Sequence, residues 1–251
     1  MLIEVSDCPL CQSTFQIPYK TTVGRPILRA QTPVGDFPAY PIITYKECVD
    51  CGMVFQSPRM DDKSLTRYYA DGHYREWVGM TSEQMDKDEE ERSISVMSAI
   101  GGVLLVPGVL ISSHLDIGCS RGYLLEKTKA MDMQVTGVDL NVDYIEDKSI
   151  PVIAHIKDTR RQFDLVTSIH TLEHVAYPLQ ELKTYYDVTA KDGWLILEVP
   201  SNDSPGGSLR MAHLLHFQPS VLLKAVTSAG YKVIAYMMTP HQRVIARKIV
   251  T

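Results

Sequence analysis

The chain has 251 residues, of which 45% are hydrophobic and 22% are charged, and its formal net charge at neutral pH is −5. These values are ordinary for a soluble globular protein, and the length allows one large α/β domain or a medium domain with a small appendage. The acidic balance argues against nucleic acid as the default partner, because phosphate binding usually requires a basic surface, although a local basic patch stays possible.

The apolar segments are too short to cross a membrane. The longest of them, Val103–Ile111, is interrupted by Pro107 and Gly108. The first residues, Met1–Asp7, have neither the basic segment nor the apolar core of a secretory signal. We therefore expect a cytoplasmic protein without membrane contact. Its cysteines should be reduced there, so that paired cysteines favour metal binding over disulfides.

The first part of the chain predicts short strands, followed by helices. Residues 1–56 are rich in Pro, Thr, Tyr and Cys, and contain β-like runs such as Ile42–Lys46. The pattern becomes helical over Asp61–Tyr74, where apolar residues such as Leu65 recur on one face. The acidic run Asp86–Arg92 then opens a segment that turns apolar, and we interpret the run as a solvated helix face.

Beyond Gly108, strands alternate with helices, which predicts a parallel sheet with helices on both faces. The last two strands are joined by the short turn 239–241 and should be antiparallel neighbours, because a parallel crossover needs a dozen or more residues. The predicted strands are Leu110–Ile117, Val135–Asp139, Pro151–His155, Phe163–Ile169, Trp194–Val199, Lys232–Met238 and Arg243–Ile249. The predicted helices are Tyr123–Met131, Pro178–Thr189 and Pro219–Ala229.

A loop of small residues follows the first of these strands. The strand ends at Asp116, and Gly118-x-Ser120-x-Gly122 leads into a helix. Small residues let the backbone turn tightly and let a ligand approach the main chain. The loop lies at the carboxyl end of its strand, where open α/β sheets bind ligands. Taken alone, it is also compatible with a generic strand-to-helix turn.

An acidic residue ends the second strand. Asp139 follows Gly122 by 17 residues. A carboxylate at this place accepts hydrogen bonds from both ribose hydroxyls of an adenosine cofactor. Asp139 or Asn141 could equally cap the next helix, and the two roles are compatible.

The ordered set of motifs resembles the Rossmann-like (class I) S-adenosylmethionine-dependent methyltransferases over about residues 94–250. Ser120 stands where the family's loop usually has its middle glycine, and Lys191-Asp192-Gly193 replaces a usual Pro-Gly-Gly turn. A nicotinamide enzyme would require Gly-x-Gly-x-x-Gly, which the loop lacks. The segments that carry the resemblance are Leu115–Leu125, Gly137–Asp139, Phe163–Ser168, Leu172–Val175 and Lys191–Pro200, together with the antiparallel final strand pair.

The resemblance implies a mostly parallel seven-stranded Rossmann-like sheet with an antiparallel last strand, and S-adenosylmethionine as the cofactor. Asp139 and Leu140 would hold ribose and adenine. Asp158 would contact the adenine amino group, or else be an exposed turn residue. His170, after the fourth strand, joins the predicted cofactor-binding residues. The methionine end would be lined by the loop residues Asp116, Gly118, Cys119, Ser120 and Gly122, of which Cys119 could simply be a small packing residue.

Four of the five cysteines form two Cys-x-x-Cys pairs. Cys8 and Cys11 are separated by 36 residues from Cys48 and Cys51. Four thiolates complete a tetrahedral Zn²⁺ site, and a set of four protein ligands leaves no open position, so the predicted zinc is structural. We expect a small β-rich zinc-binding module at residues 1–58, a helical linker or cap at 59–101 and the methyltransferase domain at 102–251.

The cysteine module adds a narrower resemblance. Together with Cys51–Arg59 and the Tyr68-Tyr69 pair, it is similar to zinc-containing methyltransferases of sugar and natural-product tailoring. Deoxysugar C-methyltransferases of this group carry a further C-terminal domain, whereas this chain ends at Thr251. The resemblance therefore does not carry C-methylation over to this chain.

Candidate catalytic residues follow the fourth strand. A hydroxyl acceptor must lose a proton, and a histidine near neutral pKa is the natural base. His174 is our first candidate, with Glu173 orienting it and His170 nearby; Glu173 and His174 could instead only fix the helix start. Tyr177, His213 and His216 are candidates for acceptor contact, because related enzymes build a substrate lid over Ser201–His216. His216 could equally be a packed residue.

These patterns predict a methyltransferase that acts on a hydroxyl of a small molecule, a sugar or a tailored metabolite. Two alternatives stay open. In one, the zinc module holds RNA or protein, and the acceptor is a macromolecule. In the other, cofactor binding regulates a partner and no methyl group is transferred. The sequence assigns no oligomeric state.

Overall fold

The computed structural model describes residues 2–23, 42–71, 81–201, 213–238 and 240–249. The helices are α1 (Asp62–Ala70), α2 (Ser82–Leu104), α3 (Tyr123–Lys129), α4 (Pro178–Val188) and α5 (Pro219–Ser228). The strands are β1 (Leu2–Ile3), β2 (Gln16–Val23), β3 (Ile42–Cys48), β4 (Val54–Gln56), β5 (Arg59–Met60), β6 (Ser113–Ile117), β7 (Gln134–Val138), β8 (Val152–Ile153), β9 (Phe163–Ile169), β10 (Thr189–Pro200), β11 (Leu215–His216), β12 (Lys232–Met238) and β13 (His241–Arg247).

Local signals set the starts of these helices. Thr81 and Gln84 form a reciprocal capping box at the start of α2. The carboxylate of Asp61 accepts a hydrogen bond from the backbone N–H of Ser64 and so caps α1. Helices α4 and α5 each begin with a proline, whose fixed φ suits the first helical position.

The main sheet has seven strands in the order β12-β13-β10-β9-β6-β7-β8. Strands β6 to β10 run parallel, whereas β13 lies antiparallel between β10 and β12. Central residues such as Leu115, Val166 and Leu195 are fully buried, as expected where helices cover both faces of a sheet. The sequence-based prediction of a mostly parallel seven-stranded sheet with an antiparallel last strand is confirmed.

Element boundaries differ from the predicted ones at several places, among them the starts of β6 and β10. Strand β6 begins at Ser113 instead of Leu110, because its pairing with β7 begins at Ser113, opposite Gln134. Strand β10 begins at Thr189, five residues before the predicted Trp194, because Thr189 already pairs with Phe163 of β9. Neither shift changes which residues face the carboxyl end of the sheet.

A second sheet is built from the amino-terminal residues in the order β11-β4-β3-β2. Its outer strand β11 comes from a segment far along the chain, and Leu215 pairs with Phe55 of β4. Phe55, Leu215 and Val221 of α5 belong to one hydrophobic cluster that also contains Leu115 of the main sheet. The predicted β-rich module is therefore present and shares its core with the rest of the chain.

The domain boundaries at 58 and 101 stay a prediction. Within the described ranges, no helix is long and apolar enough to cross a membrane.

Candidate functional site

A cavity of 620 Å³ opens at the carboxyl ends of β6, β7 and β9. This volume lies in the range of small-molecule sites, and the place is where open α/β sheets bind ligands. Its lining includes the glycine loop, Asp139 and residues of α1 and α2. Of the sequence-predicted residues, the cavity is lined by Asp116, Gly118, Cys119, Ser120, Asp139, Leu140, His170, His174 and Tyr177.

The glycine loop is a tight turn that only small residues allow. Gly118 has a φ of 76° and Gly122 a φ of 85°, in the left-handed region that favours glycine. A Cβ at Gly118 would lie 2.1 Å from Oγ1 of Thr171, and one at Gly122 would lie 2.7 Å from the side chain of Ile145. Gly122 precedes α3 and lies outside the cavity lining, so its contribution is to the turn.

Asp139 connects the ends of two neighbouring strands. One carboxylate oxygen accepts a hydrogen bond from the backbone N–H of Ser120 at 2.9 Å. The other accepts from the backbone N–H of Asn141, also at 2.9 Å. These bonds hold the carboxylate at the cavity wall, and carboxylate oxygens accept hydrogen bonds from hydroxyl groups. The geometry therefore suits the ribose-binding role that the sequence predicts.

Asp116 is buried beneath the loop. It accepts a hydrogen bond from Oγ1 of Thr167 at 2.5 Å. Burial, with a smaller contribution from the negative charge of Asp139, raises the pKa of Asp116 to about 7. Nε2 of His114 lies 2.8 Å from Oγ1 of the same Thr167. His114 is fully buried, and this burial lowers its pKa to about 3 and keeps the ring neutral. Asp116 is thus poised to gain charge when a cationic group approaches.

The acidic face of α2 contacts the loop, which the sequence reasoning missed. Asp86 pairs with Arg121 at 2.8 Å, and Glu89 accepts a hydrogen bond from Oγ of Ser120 at 3.2 Å. Glu89 and Arg92 also line the cavity. The run Asp86–Arg92 is therefore not only a solvated face. Asp86, Glu89 and Arg92 follow one another at intervals of three residues, so they lie on one side of a helix. This spacing is the signal in the sequence that could have indicated a helix face directed at a site.

A row of buried ionisable side chains extends inward from the cavity. Oε1 of Glu173 lies 3.7 Å from Nε2 of His174 and 3.6 Å from Nδ1 of His170. Nε2 of His170 lies 3.3 Å from Oε1 of Glu198 on β10, and Arg243 donates to the other oxygen of Glu198 at 2.7 Å. Burial raises the pKa of Glu173 to about 8 and lowers that of His170 to about 4. Sequence reasoning missed Glu198 and Arg243, which long-range pairing brings here.

Of the three predicted acceptor contacts, Tyr177 lines the cavity, whereas His213 and His216 do not. His174 lines the cavity, and its ring lies 4.9 Å from that of His213 and 5.5 Å from that of Tyr69. Tyr177 lines the cavity and is half exposed. His216 is buried against Tyr45, at a ring separation of 4.8 Å, and lies outside the cavity lining. Most of the predicted lid, residues 202–212, lies outside the described part of the chain.

Asp158 is not brought to the cavity. It is exposed, and its carboxylate accepts a hydrogen bond from the backbone N–H of His155 at 3.2 Å, which caps the short turn Ile156–Asp158. Ile156 and Lys157 of the same turn do line the cavity. The structure therefore favours the turn role that the sequence left open for Asp158.

The four paired cysteines converge in the amino-terminal sheet. Cys8 and Cys51 have their sulfurs 3.6 Å apart, as do Cys11 and Cys48, and all four sulfurs lie within 4.8 Å of one another. These separations are far beyond a disulfide bond. They suit a tetrahedral ion with sulfur ligands at about 2.3 Å, which places the sulfurs roughly 3.8 Å apart. The residues present therefore fit Zn²⁺.

Comparison with protein families gives a match over most of the chain. Residues 73–236 match the sequence profile described as Methyltransferase domain. Among curated relatives, the mitochondrial ubiquinone biosynthesis O-methyltransferase of Candida albicans is 33% identical over 107 residues, covering 36% of this chain and 32% of that protein. The Nitrosococcus oceani ubiquinone biosynthesis O-methyltransferase is 30% identical over 134 residues, covering 47% and 49%. The chain spans about a third to a half of the curated relatives that it matches.

Solved structures with this fold include two methyltransferases. The 1,6-didemethyltoxoflavin-N1-methyltransferase of Burkholderia thailandensis superposes with a TM-score of 0.56 and 15% identity, over 80% of this chain and 98% of that one. The magnesium protoporphyrin IX methyltransferase of Synechocystis also gives 0.56, with 14% identity over 74% and 100%. At such identities the likeness establishes the fold alone.

Proposed function

Because the chain belongs to the methyltransferase-domain family, we propose that it transfers a methyl group from S-adenosylmethionine to a hydroxyl of a small molecule. The observation that carries the proposal is the convergence of the glycine loop, Asp116 and Asp139 on one 620 Å³ cavity. The names of the two curated relatives described above, both ubiquinone biosynthesis O-methyltransferases, support this acceptor class.

Each part of the cavity has a role in holding the cofactor. Asp139 would accept hydrogen bonds from the ribose hydroxyls, and Leu140 and Ile156, which line the same cavity, would contact the adenine. Asp116 faces the methionine amino group, whose positive charge favours the ionised carboxylate. When bound, S-adenosylmethionine supplies a methyl group on a sulfonium for in-line transfer. The protein mainly aligns the acceptor with this group, and His174 takes the proton of the acceptor hydroxyl.

The cavity lining also suits a polyhydroxylated acceptor, which supports a sugar or tailored metabolite. It includes Glu181 and Thr184 of α4 and Asp62 of α1, which is paired with Arg59 at 2.9 Å. Carboxylates accept hydrogen bonds from hydroxyl groups. The rings of Tyr69 and Tyr177, which also line the cavity, offer apolar faces with polar tips. This combination recognises a neutral ring that carries several hydroxyls.

We also infer that Cys8, Cys11, Cys48 and Cys51 bind a structural Zn²⁺. The second cysteine pair lies between β3 and β4, and β4 pairs with β11 next to His213. The ion would therefore stabilise the sheet that holds one side of the acceptor region.

Replacing Asp139 with asparagine should weaken binding of S-adenosylhomocysteine by about tenfold to a hundredfold, since hydrogen bonds to a charged group contribute roughly 1.5–3 kcal/mol. Isothermal titration calorimetry measures the affinity. Asp158→Asn is the matched control, because Asp158 is exposed and lies outside the cavity lining, and its affinity should stay within about twofold of the wild type. Absence of binding by the wild-type protein would refute the proposed function, and equal losses in both variants would restore Asp158 as a cofactor contact.

Replacing His174 with glutamine should lower the rate of methyl transfer by about 10²–10⁴-fold and leave the affinity for S-adenosylhomocysteine unchanged, because general-base catalysis contributes about this much. The rate is measured by mass spectrometry of the O-methylated product, with acceptors from a panel of deoxysugars, nucleotide sugars and catechols. A variant that keeps the wild-type rate would remove His174 from the mechanism.

A further inference from the structure

The buried row His174, Glu173, His170, Glu198 has more ionisable groups than a single base requires. Successive members lie 3.7, 3.6 and 3.3 Å apart. The side chains of Glu173 and Glu198 are 2% and 1% exposed. The row therefore runs from the cavity wall to the interior of the sheet, and it crosses from the turn after β9 to the end of β10.

Several atoms of the row lack ordinary hydrogen bonds. Among the described residues, both oxygens of Glu173, Nε2 of His170 and Oε1 of Glu198 are buried without a hydrogen-bond partner. Buried polar groups are normally satisfied, since leaving them unsatisfied costs stability. His170 also has a φ of 52°, a sparsely populated backbone conformation that is concentrated at functional sites. A cluster that is kept despite this loss of stability indicates a role beyond packing.

Fixed charges at the inner end make the row asymmetric. Burial alone would raise the pKa of Glu198, but contacts with His170 and Arg243 lower it below its usual value, so Glu198 is ionised. Arg243 is itself held by the backbone oxygen and the hydroxyl of Ser95 on α2. Glu173, with its raised pKa, holds a proton at neutral pH, whereas His170 is neutral. Among the described residues, the charged or titratable groups near His170 are Glu173, Glu198, His241 and Arg92. Those near His174 are Glu173, His213 and Tyr69.

We propose that Glu173, His170 and Glu198 form a proton relay that sets the basicity of His174. As the acceptor hydroxyl gives its proton to His174, the positive charge that forms there lowers the proton affinity of Glu173. The 3.6 Å contact between Glu173 and His170 then shortens to a hydrogen bond, and Oε1 of Glu173 passes its proton to Nδ1 of His170. The imidazolium formed at His174 then faces the Glu173 carboxylate, and the imidazolium at His170 faces the Glu198 carboxylate. Each transfer breaks one O–H bond and forms one N–H bond, so no proton is lost or gained.

This relay rests on the proposed function, because it gives His174 the role of base. It makes Glu173, His170 and Glu198 positioning residues, which act through His174. A purely structural role for Glu198, as the anchor of Arg243 and α2, predicts no effect on the protonation of His174. The relay and the purely structural role therefore predict different pH titrations of His174, which can be measured without an acceptor.

The test is the pH titration of the histidine side chains by NMR in full-length protein with ¹⁵N-labelled histidine. In the His170→Asn variant, the pH at which His174 is half-protonated should fall by about one unit, a tenfold loss of proton affinity. This substitution replaces one neutral group by another and leaves the ion pair of Glu198 and Arg243 in place. A direct charge effect therefore cannot produce the fall, which would come from the broken relay.

Three further variants complete the design. Glu198→Gln should produce the same fall, and Glu198→Asp, which keeps the charge, should restore at least half of it. Asp192→Asn, which removes a carboxylate from the surface pair with Arg247, should leave the titration of His174 unchanged. An unchanged titration of His174 in His170→Asn would overturn the relay.

The relay and the proposed function fail on different measurements. Binding of S-adenosylhomocysteine reports the folding of each variant and the proposed function. The titration of His174 reports the relay alone. Should Glu198→Gln fail to fold because Arg243 loses its partner, His170→Asn still decides the question.

Discussion

Replacing Gly118 with alanine should weaken binding of S-adenosylhomocysteine by at least about tenfold. The new Cβ would lie 2.1 Å from Oγ1 of Thr171, closer than any real contact. Thr171 cannot easily turn away, because its hydroxyl donates to the backbone oxygen of Ile117. The φ of 76° at Gly118 adds a backbone strain of roughly 1–2 kcal/mol for any L-residue. The loop must therefore move, and the backbone that faces the cofactor moves with it.

The matched control for this prediction is Gly101→Ala in α2. A Cβ at Gly101 meets no atom within 4 Å, and alanine favours a helix by about 1 kcal/mol over glycine. Calorimetry should give wild-type affinity for Gly101→Ala, and thermal unfolding should show a midpoint equal to or above that of the wild type. Wild-type affinity in Gly118→Ala would show that the loop does not need its observed conformation, and would remove it as the site that positions the cofactor.

The sheet could be predicted because its signals are local. Buried β-rich runs such as Phe163–Ile169 alternate with helical segments, and a two-residue link between β12 and β13 allows only an antiparallel pairing. The glycine loop and Asp139 could be predicted for the same reason, since residues at the carboxyl ends of parallel strands must meet at one edge of the sheet. These parts of the candidate site needed no knowledge of tertiary packing.

The parts that sequence reasoning missed depend on pairing across long chain distances. Glu198 reaches His170 because β10 lies beside β9, and Arg243 reaches Glu198 because β13 inserts beside β10. Glu198 lies in the segment Lys191–Pro200, but nothing in that segment marks its side chain as a site residue, and Arg243 lies in no motif. Strand β11 joins the amino-terminal sheet through Leu215 although it follows β10 in the chain. Its two residues are too few to give a periodic signal.

Where a residue has two plausible roles, only its surroundings in the structure decide between them. Asp158 and Asp139 are both acids after a strand, but Asp139 is held at the cavity wall and Asp158 caps its own turn. His174 and His216 are both histidines near the predicted acceptor, but only His174 lines the cavity. Burial and contact decide such cases, and neither quantity is written in the local sequence.

The cysteine cluster gives the other prediction with a large effect. Replacing Cys48 with serine should reduce the zinc content from one ion per chain to near zero and lower the thermal unfolding midpoint by about 5–10 °C. The reason is that structural zinc binding contributes directly to folding free energy, and a chain of this size shifts by roughly 2–4 °C per kcal/mol. Zinc is measured by inductively coupled plasma mass spectrometry, and unfolding by calorimetry.

Cys119→Ser is the matched control, because Cys119 is the cysteine outside the cluster. It should keep one zinc per chain, so the loss in Cys48→Ser cannot come from the Cys-to-Ser change as such. Retention of zinc in Cys48→Ser, or absence of zinc from the wild-type protein, would contradict the assignment.

Loss of the zinc ion should also affect the acceptor side of the cavity. The backbone N–H of Gln56 on β4 donates to the oxygen of Leu214, and Oη of Tyr45 donates to the backbone oxygen of His213 at 3.1 Å. Strands β3 and β4, which flank the second cysteine pair, thus hold the segment that brings His213 to His174. Amide hydrogen exchange over residues 213–217 should therefore accelerate in Cys48→Ser and stay unchanged in Cys119→Ser. Acceleration confined to residues 8–51 would separate the zinc site from the acceptor site and leave it with a local role.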